Sequence, residues 1–450
     1  MARLRSSLAS LATSGRAPYN DPTMLELPEI QALQTLTADG RLLFLTRTVR
    51  LFGYGFLSVV LALYLAQVGL SGEAIGLLLT LTLLGDAVIS IWIASVADRV
   101  GRRRMLLVGA GLMVFAGLVF SLTGNILLLT IAAIIGTISP SGNEVGPFLA
   151  IEQATLPQTA PDRHRTQIFA WYNLAGSLAT AFGSLVGGAL AQALQQAGRT
   201  PLDSYRANVI GYALIGLVLA SLFTRLSPAA EVGAIRSPGA KKTGNPAVKT
   251  WFGLHRSRNT VLKLSSLFML DAFGGGLVVQ SLIAYWFHVR FGVEPALLGG
   301  IFFAANIFAG LSALAAARVA ARIGLINTMV WTHIPSNILL ILVPVMPVLP
   351  LAILVLLARF SVSQMDVPTR QSYTMAVVDP DERSAAAGFT NVVRTAGASV
   401  GPLITGALLG ASLLSLPFFL SGGLKVVYDL TLYRNFRSLK PPEEEKATAS

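Results

Sequence analysis

The sequence predicts an all-α membrane protein with twelve transmembrane helices, arranged as two pseudo-symmetric bundles of six. Hydrophobic residues make up 53% of the 450-residue chain and charged residues only 12%, with a mean hydropathy of +0.65. This composition is typical of proteins that cross the bilayer many times. Twelve apolar runs approach the ~20 residues that a helix needs to span a membrane. The two halves of the chain, finally, resemble one another in sequence.

Six apolar runs precede a central linker and six follow it. The first six are Leu42–Ala66, Ala74–Val96, Met105–Leu122, Ile126–Ile151, Ile168–Leu194 and Val209–Phe223. The second six are Val261–Phe287, Pro295–Val319, Leu325–Met346, Leu349–Met375, Ala385–Leu409 and Leu413–Leu432. We therefore expect a cytoplasmic tail at 1–40, a first bundle at 41–226, a cytoplasmic linker at 227–258, a second bundle at 259–435 and a cytoplasmic tail at 436–450.

The distribution of basic residues predicts the orientation in the membrane. The chain carries 34 Lys and Arg against 22 Asp and Glu, and the basic residues collect in alternate loops and in the linker. This asymmetry places both termini in the cytoplasm and argues against a nucleic-acid-binding surface. We expect a monomer in a bacterial inner (cytoplasmic) membrane, surrounded by the lipid bilayer. The alternative for the first 20 residues, which contain no acid, is an organellar transit peptide.

Two ungapped blocks relate the halves of the chain. Residues 69–101 align on residues 292–324, so that Gly76 corresponds to Gly299 and Arg99 to Arg322. Residues 173–190 align on residues 391–408 in the same order. Blocks of this length predict two parallel repeats of six spans each, joined by the linker.

Two apolar runs are interrupted at corresponding places, and each interruption carries an acid. Residues 136–147 contain three glycines, two prolines and Glu144, and residues 361–368 contain Asp366 and Pro368. Irregular backbone at membrane depth is tolerated where it lines a cavity. Paired interruptions in two repeats indicate the binding site of a transporter. A carboxylate at this depth is costly without a partner, so Glu144 and Asp366 are candidates for binding a substrate or a proton.

The loop between the second and third spans contains a motif that implies a gate. Residues 94–104, with the sequence ASVADRVGRRR, resemble the loop signature of the major facilitator superfamily, with Ala94 in place of its leading glycine. The resemblance implies a transporter fold with a cytoplasmic gate, in which glycine permits a tight turn and the charged groups meet carbonyls or acids across the interface of the two halves. The expected gate residues are Asp98, Arg99, Gly101, Arg102 and Arg103.

A second motif bears on the direction of transport. Residues 397–406, with the sequence GASVGPLITG, resemble the glycine-and-proline motif that antiporters of this superfamily carry in the fifth span. The corresponding segment of the fifth span here, residues 179–188, has Ser184 where proline is expected. The resemblance favours efflux, and close packing of helices through small residues is the alternative interpretation.

The resemblance also ranks the intramembrane charges, because the first, fourth, seventh and tenth spans of the superfamily line the central cavity. Arg50 and Asp271 occupy corresponding positions in the first and seventh spans, and we expect them to pair across the interface of the halves. This pairing would leave Glu144 and Asp366 available for a proton or a cation. Arg394 has no cationic counterpart in the fifth span, which suits contact with a substrate anion or an acidic partner.

Other charges have mainly structural interpretations. Asp366 precedes Arg370 by four residues, so an i,i+4 salt bridge is the alternative to a functional role. Arg47 lies near the end of its span and is expected to snorkel to the surface. Lys425 and Asp429, also four residues apart, are expected to neutralise each other. Charges of second rank include Asp86, Glu152 and Arg359.

The sequence gives no support to enzymatic or ATP-driven chemistry. It contains no cysteine, its four histidines show no metal-ligand spacing, and it has no phosphate-binding Gly-Lys-Ser/Thr loop. We expect no cofactor and predict a secondary transporter that works by alternating access, with proton-coupled efflux of a small organic molecule favoured. One alternative, a proton-coupled importer or organic-anion exchanger, requires Arg50 and Arg394 to face the cavity unpaired. The other, a non-transporting scaffold or sensor, requires all the charges to be paired.

Overall fold

The structure is a computed structural model that describes residues 36–146, 148–156, 165–228, 254–379 and 381–439. Within these ranges the chain forms fifteen α-helices. The helices before the linker, here called the N half, are α1 (Ala38–Gln67), α2 (Gly72–Val100), α3 (Arg102–Leu122), α4 (Ile126–Ile135), α5 (Phe148–Thr155), α6 (Arg165–Gln196) and α7 (Pro201–Phe223). Those after it, the C half, are α8 (Arg258–Leu277), α9 (Gln280–Phe291), α10 (Pro295–Ile323), α11 (Leu325–Leu342), α12 (Leu349–Phe360), α13 (Asp366–Ala376), α14 (Arg383–Gly410) and α15 (Leu416–Phe436).

These helices make up twelve spans. Nine stretches of the described chain are long and apolar enough to cross a membrane, and one of them comprises α8 and α9 together. The shorter apolar helices α4 and α12 are continued after a break by α5 and α13, and α15 is the twelfth span. The predicted all-α, twelve-helix membrane fold is confirmed. The predicted tails and linker lie largely at residues 1–35, 229–253 and 440–450, outside the described residues.

The internal repeat is visible in the helix ends. Helices α2 and α10 are both 29 residues long, and each is followed by a glycine with positive φ, Gly101 at 114° and Gly324 at 86°. A residue with a Cβ would be strained in this conformation, so these glycines end the helices at equivalent places. The segments 69–101 and 292–324, which align without a gap, therefore have the same local structure in the two halves.

Three spans are broken rather than two. The break in the fourth span contains Gly142 and Gly146 with φ of 70° and 83°, and that in the tenth span covers residues 361–365, as the sequence predicts. The seventh span, predicted to be continuous, ends one helix at Leu277 and starts the next at Gln280. The preceding Gly-Gly-Gly run lowers the helix propensity there. The break frees the N–H of Ser281, which donates to the carbonyl of Pro140 in the other half at 3.0 Å.

The two halves contact each other through α2 with α14 and through α6 with α10. A Cβ added to Gly406 would lie 2.6 Å from Cα of Gly76, and one added to Gly188 would lie 2.9 Å from Cα of Gly299. These two contacts are equivalent under the repeat. The glycines of the antiporter-like motif thus bring helices into close contact, which supports the packing interpretation.

Candidate functional site

Two clusters of charged side chains lie inside the membrane-spanning region, one in each half. The N-terminal cluster consists of Arg47, Arg50, Glu144 and Glu152. The C-terminal cluster consists of Asp271, His333, Asp366, Arg370, Arg394, Lys425 and Asp429.

Arg50 is the centre of the N-terminal cluster. Its side chain is fully buried, and its two terminal nitrogens lie 2.7 Å from the two carboxylate oxygens of Glu152. Its Nε donates to Oε1 of Glu144 at 2.8 Å, and its guanidinium stands 4.5 Å from the ring centre of Phe148. A guanidinium matches a carboxylate in this bidentate manner with strong, charge-assisted hydrogen bonds. Arg50 therefore ties α1 to the break in the fourth span, through Glu144, and to the helix that follows it, α5, through Glu152.

Arg47 belongs to the same cluster. Its Nη1 lies 2.8 Å from Oε2 of Glu144, and its Nη2 donates to Asn173 at 3.3 Å. The guanidinium stands over the ring of Tyr172, whose hydroxyl donates to Glu152 at 2.5 Å. The prediction that Arg47 snorkels to the surface is wrong, because α6 packs against α1 and supplies partners inside the fold. Glu144 is the most exposed member of the cluster, with 14% of its side chain exposed against 7% for Arg47.

Asp271 is the centre of the C-terminal cluster. Its Oδ1 accepts a hydrogen bond from Nζ of Lys425 at 2.5 Å, and its Oδ2 lies 3.3 Å from Nη1 of Arg370 and 3.2 Å from Nη1 of Arg394. Three cations from three different helices thus share one carboxylate. Arg394 is the most accessible of the three, with 28% of its side chain exposed.

Two further acids of this cluster have local partners. Asp366 lies 2.6 Å from Arg370 one turn later on α13, which confirms the i,i+4 alternative. Asp429 is 2.8 Å from Nδ1 of His333 and accepts from Asn337 at 2.9 Å. The predicted neutralisation of Lys425 by Asp429 is wrong, because the lysine reaches Asp271 on the neighbouring α8 instead.

The predicted pair between Arg50 and Asp271 does not form. Each residue is saturated by partners in its own half, and so are the two acids that the pair would have left available, Glu144 and Asp366. The repeat aligned Arg50 with Asp271, but positions related by pseudo-symmetry occupy equivalent places in separate bundles and need not touch. All five residues predicted for substrate or proton binding lie in the two clusters, yet none of the described ion pairs crosses between the halves.

Among the described residues, two charges near the middle of the spans lie outside the clusters, one of each sign. Asp86 lies fourteen residues into α2, about 21 Å along the helix. It accepts a hydrogen bond from the backbone N–H of Gly146, at 2.6 Å, and the hydroxyl of Ser90, one turn later on α2, lies beside it. Arg359 lies ten residues into α12, about 15 Å along it, and its buried Nε has no hydrogen-bond partner. Within the described chain, neither residue has a group of opposite charge within 4 Å.

Asp86 and Glu152 ranked below the other charges because the second span was not expected to line the cavity and because Glu152 lies toward a helix end. Arg359 was also of second rank, although its span, the tenth, was expected to line the cavity. Sequence reasoning also did not connect Lys425 and His333 with Asp271. The usable signal was depth alone, since every ionisable side chain near the middle of an apolar helix requires a partner or a function.

The predicted gate residues lie at the junction of α2 and α3. Arg99 is exposed, and Gly101 forms the turn. Arg102 lies 3.4 Å from Oγ1 of Thr155, and Arg103 donates to the carbonyl of Thr224 at 2.6 Å. These partners belong to the N half, and the side chain of Asp98 lies outside the described set. Contact of the gate with the other half stays a prediction.

Polar contacts between the halves lie toward the side opposite the chain termini, here called the far side. Nε2 of Gln280 donates to Oγ of Ser58 at 2.8 Å, beyond the middle of α1. Near the far ends of α6 and α10, Nε2 of Gln192 donates to Glu294 at 2.6 Å. Together with the paired glycines, these contacts close the far side of the interface.

The end of the linker is attached to the C half through a buried carboxylate and through exposed ion pairs of Arg256 with Asp379 and Asp381. Buried Glu382 accepts hydrogen bonds of 2.8–3.0 Å from the N–H groups of His255, Arg256 and Ser257, just before α8. Burial acts to raise the pKa of Glu382, but the hydrogen bonds from these backbone N–H groups bring it below its ordinary value. With Asp381, His255 and Glu382 have the spacing of metal ligands. Since the Glu382 oxygens already accept three N–H groups, the arrangement is better suited to anchoring the linker.

Comparison with known proteins gives consistent matches. The family model described as Major Facilitator Superfamily matches residues 43–402. The uncharacterized membrane protein YJR124C of Saccharomyces cerevisiae is 31% identical over 416 residues, which cover 88% of this chain and 93% of the yeast protein.

Solved transporter structures share the fold at low sequence identity. The nucleoside transporter NupG has a TM-score of 0.66 at 14% identity, with 89% of this chain and 99% of that chain covered. A bacterial homologue of the human lysosomal transporter Spinster, in an inward-facing and unoccupied conformation, has a TM-score of 0.62 at 17% identity, with 88% and 94% covered.

Proposed function

Because the chain belongs to the major facilitator superfamily, we propose that it carries a small organic anion across the membrane by alternating access. The observation that carries this proposal is Arg359, a cation near the middle of a span with no acid within 4 Å in the described chain. A cation at this depth without a direct ion pair is expensive and marks a candidate site for a charged ligand. Guanidinium groups bind carboxylate and phosphate oxygens in a bidentate manner.

Arg394 supports the same substrate charge. It is partly exposed, and the acid that it contacts, Asp271, is also held by Arg370 and Lys425. Arg394 can therefore turn toward a substrate anion without leaving Asp271 as an unpaired charge. Removing the last partner of a buried charge would be costly, so this redundancy favours Arg394 as the second substrate contact.

The distribution of contacts between the halves supports alternating access. The far side is held by glycine contacts and by Gln280 and Gln192, whereas Glu144 and Arg394 retain exposure. Rocking of one repeat against the other would break the far-side contacts and expose the site there. We place both termini in the cytoplasm on the charge asymmetry of the loops and expect a monomer. The relative is a yeast protein, so the location that we propose includes eukaryotic membranes beside the bacterial inner membrane.

The direction of transport is a separate proposal. Efflux was favoured by the antiporter-like glycines, but these glycines pack helices together at the interface, which serves either direction. Proton-coupled efflux stays a prediction, and transport measured separately in right-side-out and inside-out vesicles decides it.

The substrate charge is tested by ligand-induced stabilisation of the purified protein. We expect compounds with a carboxylate to raise the melting temperature more than matched amides and amines. Arg359→Gln should weaken carboxylate binding about 10- to 100-fold, the loss of one to two charge-assisted hydrogen bonds. Arg318→Gln, at an exposed position on α10, is the matched control and should bind as wild type does. Stabilisation by amines alone, or full affinity in Arg359→Gln, would refute the proposal.

A scaffold or sensor is the second candidate function, because all five residues predicted for the site are paired. The two candidates differ in turnover. A transporter exchanges external labelled anion for internal unlabelled anion in proteoliposomes, whereas a scaffold binds the anion without exchange. Stabilisation by carboxylates with no counterflow would favour the scaffold.

A further inference from the structure

Asp86 is an intramembrane acid without a counterion. In the described chain each of the other mid-membrane acids, Glu144, Glu152, Asp271, Asp366 and Asp429, has a basic group within 4 Å. Asp86 instead accepts the backbone N–H of Gly146. The titratable groups around it are Glu144, Tyr54 and Tyr212, none of which supplies a positive charge.

The elements packed against α2 offer no other counterion. Helices α1, α3, α4, α5 and α14 contact α2, and none of their described side chains places a basic nitrogen within 4 Å of Asp86. The two arginines of α1, Arg47 and Arg50, pair with Glu144 and Glu152 instead. A carboxylate held in a poorly polar environment beside another acid is relieved of its charge when it binds a proton. The proton comes from water, and no other bond is made or broken.

The backbone N–H group that donates to Asp86, that of Gly146, belongs to the break in the fourth span. Gly146 follows Glu144 by two residues, and between them the carbonyl of Val145 accepts from the hydroxyl of Tyr54 at 3.0 Å. The same break contains Pro140, which accepts the inter-half hydrogen bond from Ser281. A hydrogen bond to a carboxylate is roughly twice as strong as one to a neutral group. Loss of the Asp86 charge therefore loosens a segment that contacts both the N-terminal cluster and the other half.

The spare charges of the two halves also complement each other. In the empty protein Asp86 contributes one negative charge and Arg359 one positive charge. A monoanion at Arg359 and a proton on Asp86 together leave this balance unchanged, whereas either ligand alone would place a net charge in the membrane interior. Because net charge is costly in the membrane interior, binding of the proton and the anion together is favoured over binding of either one alone.

We propose that Asp86 is the proton-binding residue of the transport cycle, and that its proton crosses the membrane together with the organic anion. The substrate part of this inference rests on the proposed function, whereas the proton-binding part rests on Asp86 and its bond to Gly146 alone. The two parts are separated by measurements with and without an anion.

The first measurement needs no substrate. Infrared difference spectra of the purified protein are recorded as the pH is lowered, and the carbonyl band of a protonated carboxyl group is followed. We expect a band that is present in wild type, absent in Asp86→Asn and retained in Asp203→Asn, an acid at the far-side start of α7. A spectrum of Asp86→Asn identical to that of wild type would overturn the assignment of the proton to Asp86.

The second measurement uses proteoliposomes with a carboxylate that stabilises the wild-type protein. A pH gradient, acidic on the side of the anion, should accelerate anion uptake in wild type and in Asp203→Asn at least tenfold, but not in Asp86→Asn. Asp86→Glu should recover part of the acceleration. Anion binding by Asp86→Asn, measured by stabilisation, should remain, which also shows that the variant is folded. Uptake accelerated by the opposite gradient would overturn joint transport, and absence of anion binding in wild type would count against the proposed function alone.

Discussion

At the scale of single residues, the charged side chains of each cluster find their partners within their own half, as Arg50 does with Glu144 and Glu152. Arg50, Glu144, Asp271, Asp366 and Arg394 all lie in the two clusters. Depth could be read from position along each apolar run, since a helix rises about 1.5 Å per residue. The rotation of each helix about its axis and the choice among neighbours depend on tertiary packing, which a single sequence does not encode locally. The Arg50–Asp271 pair failed for this reason.

The two acids that hold Arg50 should differ in their contribution to stability. Glu152 is fully buried and accepts from both terminal nitrogens of Arg50 and from Tyr172, whereas Glu144 is partly exposed. We expect Glu152→Gln to lower the free energy of unfolding by about 3–5 kcal/mol, as for a broken buried ion pair. Glu144→Gln should cost only about 1–2 kcal/mol, because Arg50 keeps its bidentate partner and Arg47 keeps Asn173 and the ring of Tyr172.

Thermal unfolding of the two purified variants in detergent measures this difference, each serving as the control for the other. The assignment of Glu152 as the main partner of Arg50 would be contradicted by equal melting temperatures, or by a larger loss in Glu144→Gln.

At the scale of elements, local chemistry explains most of what could be predicted. Glycines and prolines marked the breaks of the fourth and tenth spans, and Gly101 and Gly324 marked the ends of α2 and α10. The break of the seventh span was missed because its residues, Val278 and Val279, are apolar and β-branched. They leave the helix because Ser281 and Gln280 find partners across the interface. That interaction is tertiary, so the apolar pattern alone predicted a continuous helix.

The attachment of the linker to α8 predicts a stability that depends on pH. The folded-state pKa of Glu382 is lowered by three N–H donors from an ordinary value of 4.5, so its stabilisation is fully present above that value. It is lost as the pH falls through the lower folded-state pKa. Glu382→Gln should reduce the free energy of unfolding at neutral pH by about 1–3 kcal/mol and should flatten the decline of stability in acid.

Melting temperatures of wild type and variant, measured from neutral pH to about pH 4, test this expectation. Asp381→Asn is the control, since Asp381 is exposed and lies beside the same segment. If wild type and Glu382→Gln lose stability in parallel as the pH falls, Glu382 is not the group responsible.

At the scale of the whole molecule, the repeat accounts for the interface between the halves. The contact of Gly76 with Gly406 and the contact of Gly299 with Gly188 are equivalent under the repeat. Both lie at the far side of the interface between the halves. The alignment of the halves predicted this equivalence, since it paired Gly76 with Gly299 and Gly188 with Gly406. The sequence could not predict which side is closed, because both closed arrangements of an alternating-access protein satisfy the same repeat.

A disulfide across the far side tests whether that side must open during transport. The chain contains no cysteine, so introduced pairs have no competing thiols. A Cβ added to Gly72 lies 2.9 Å from the Cβ of Leu409 in the other half, and a small shift gives the separation of about 3.5–4.5 Å that a disulfide needs. We expect oxidised Gly72→Cys/Leu409→Cys to lose transport and to recover it on reduction.

The matched control, Gly117→Cys/Ala213→Cys, joins two helices of the N half at a similar Cβ separation of 2.8 Å and should transport in both redox states. Undiminished transport by the crosslinked Gly72–Leu409 pair would show that the far-side contact does not open in the cycle, because a rigid covalent link there is incompatible with rocking of the halves.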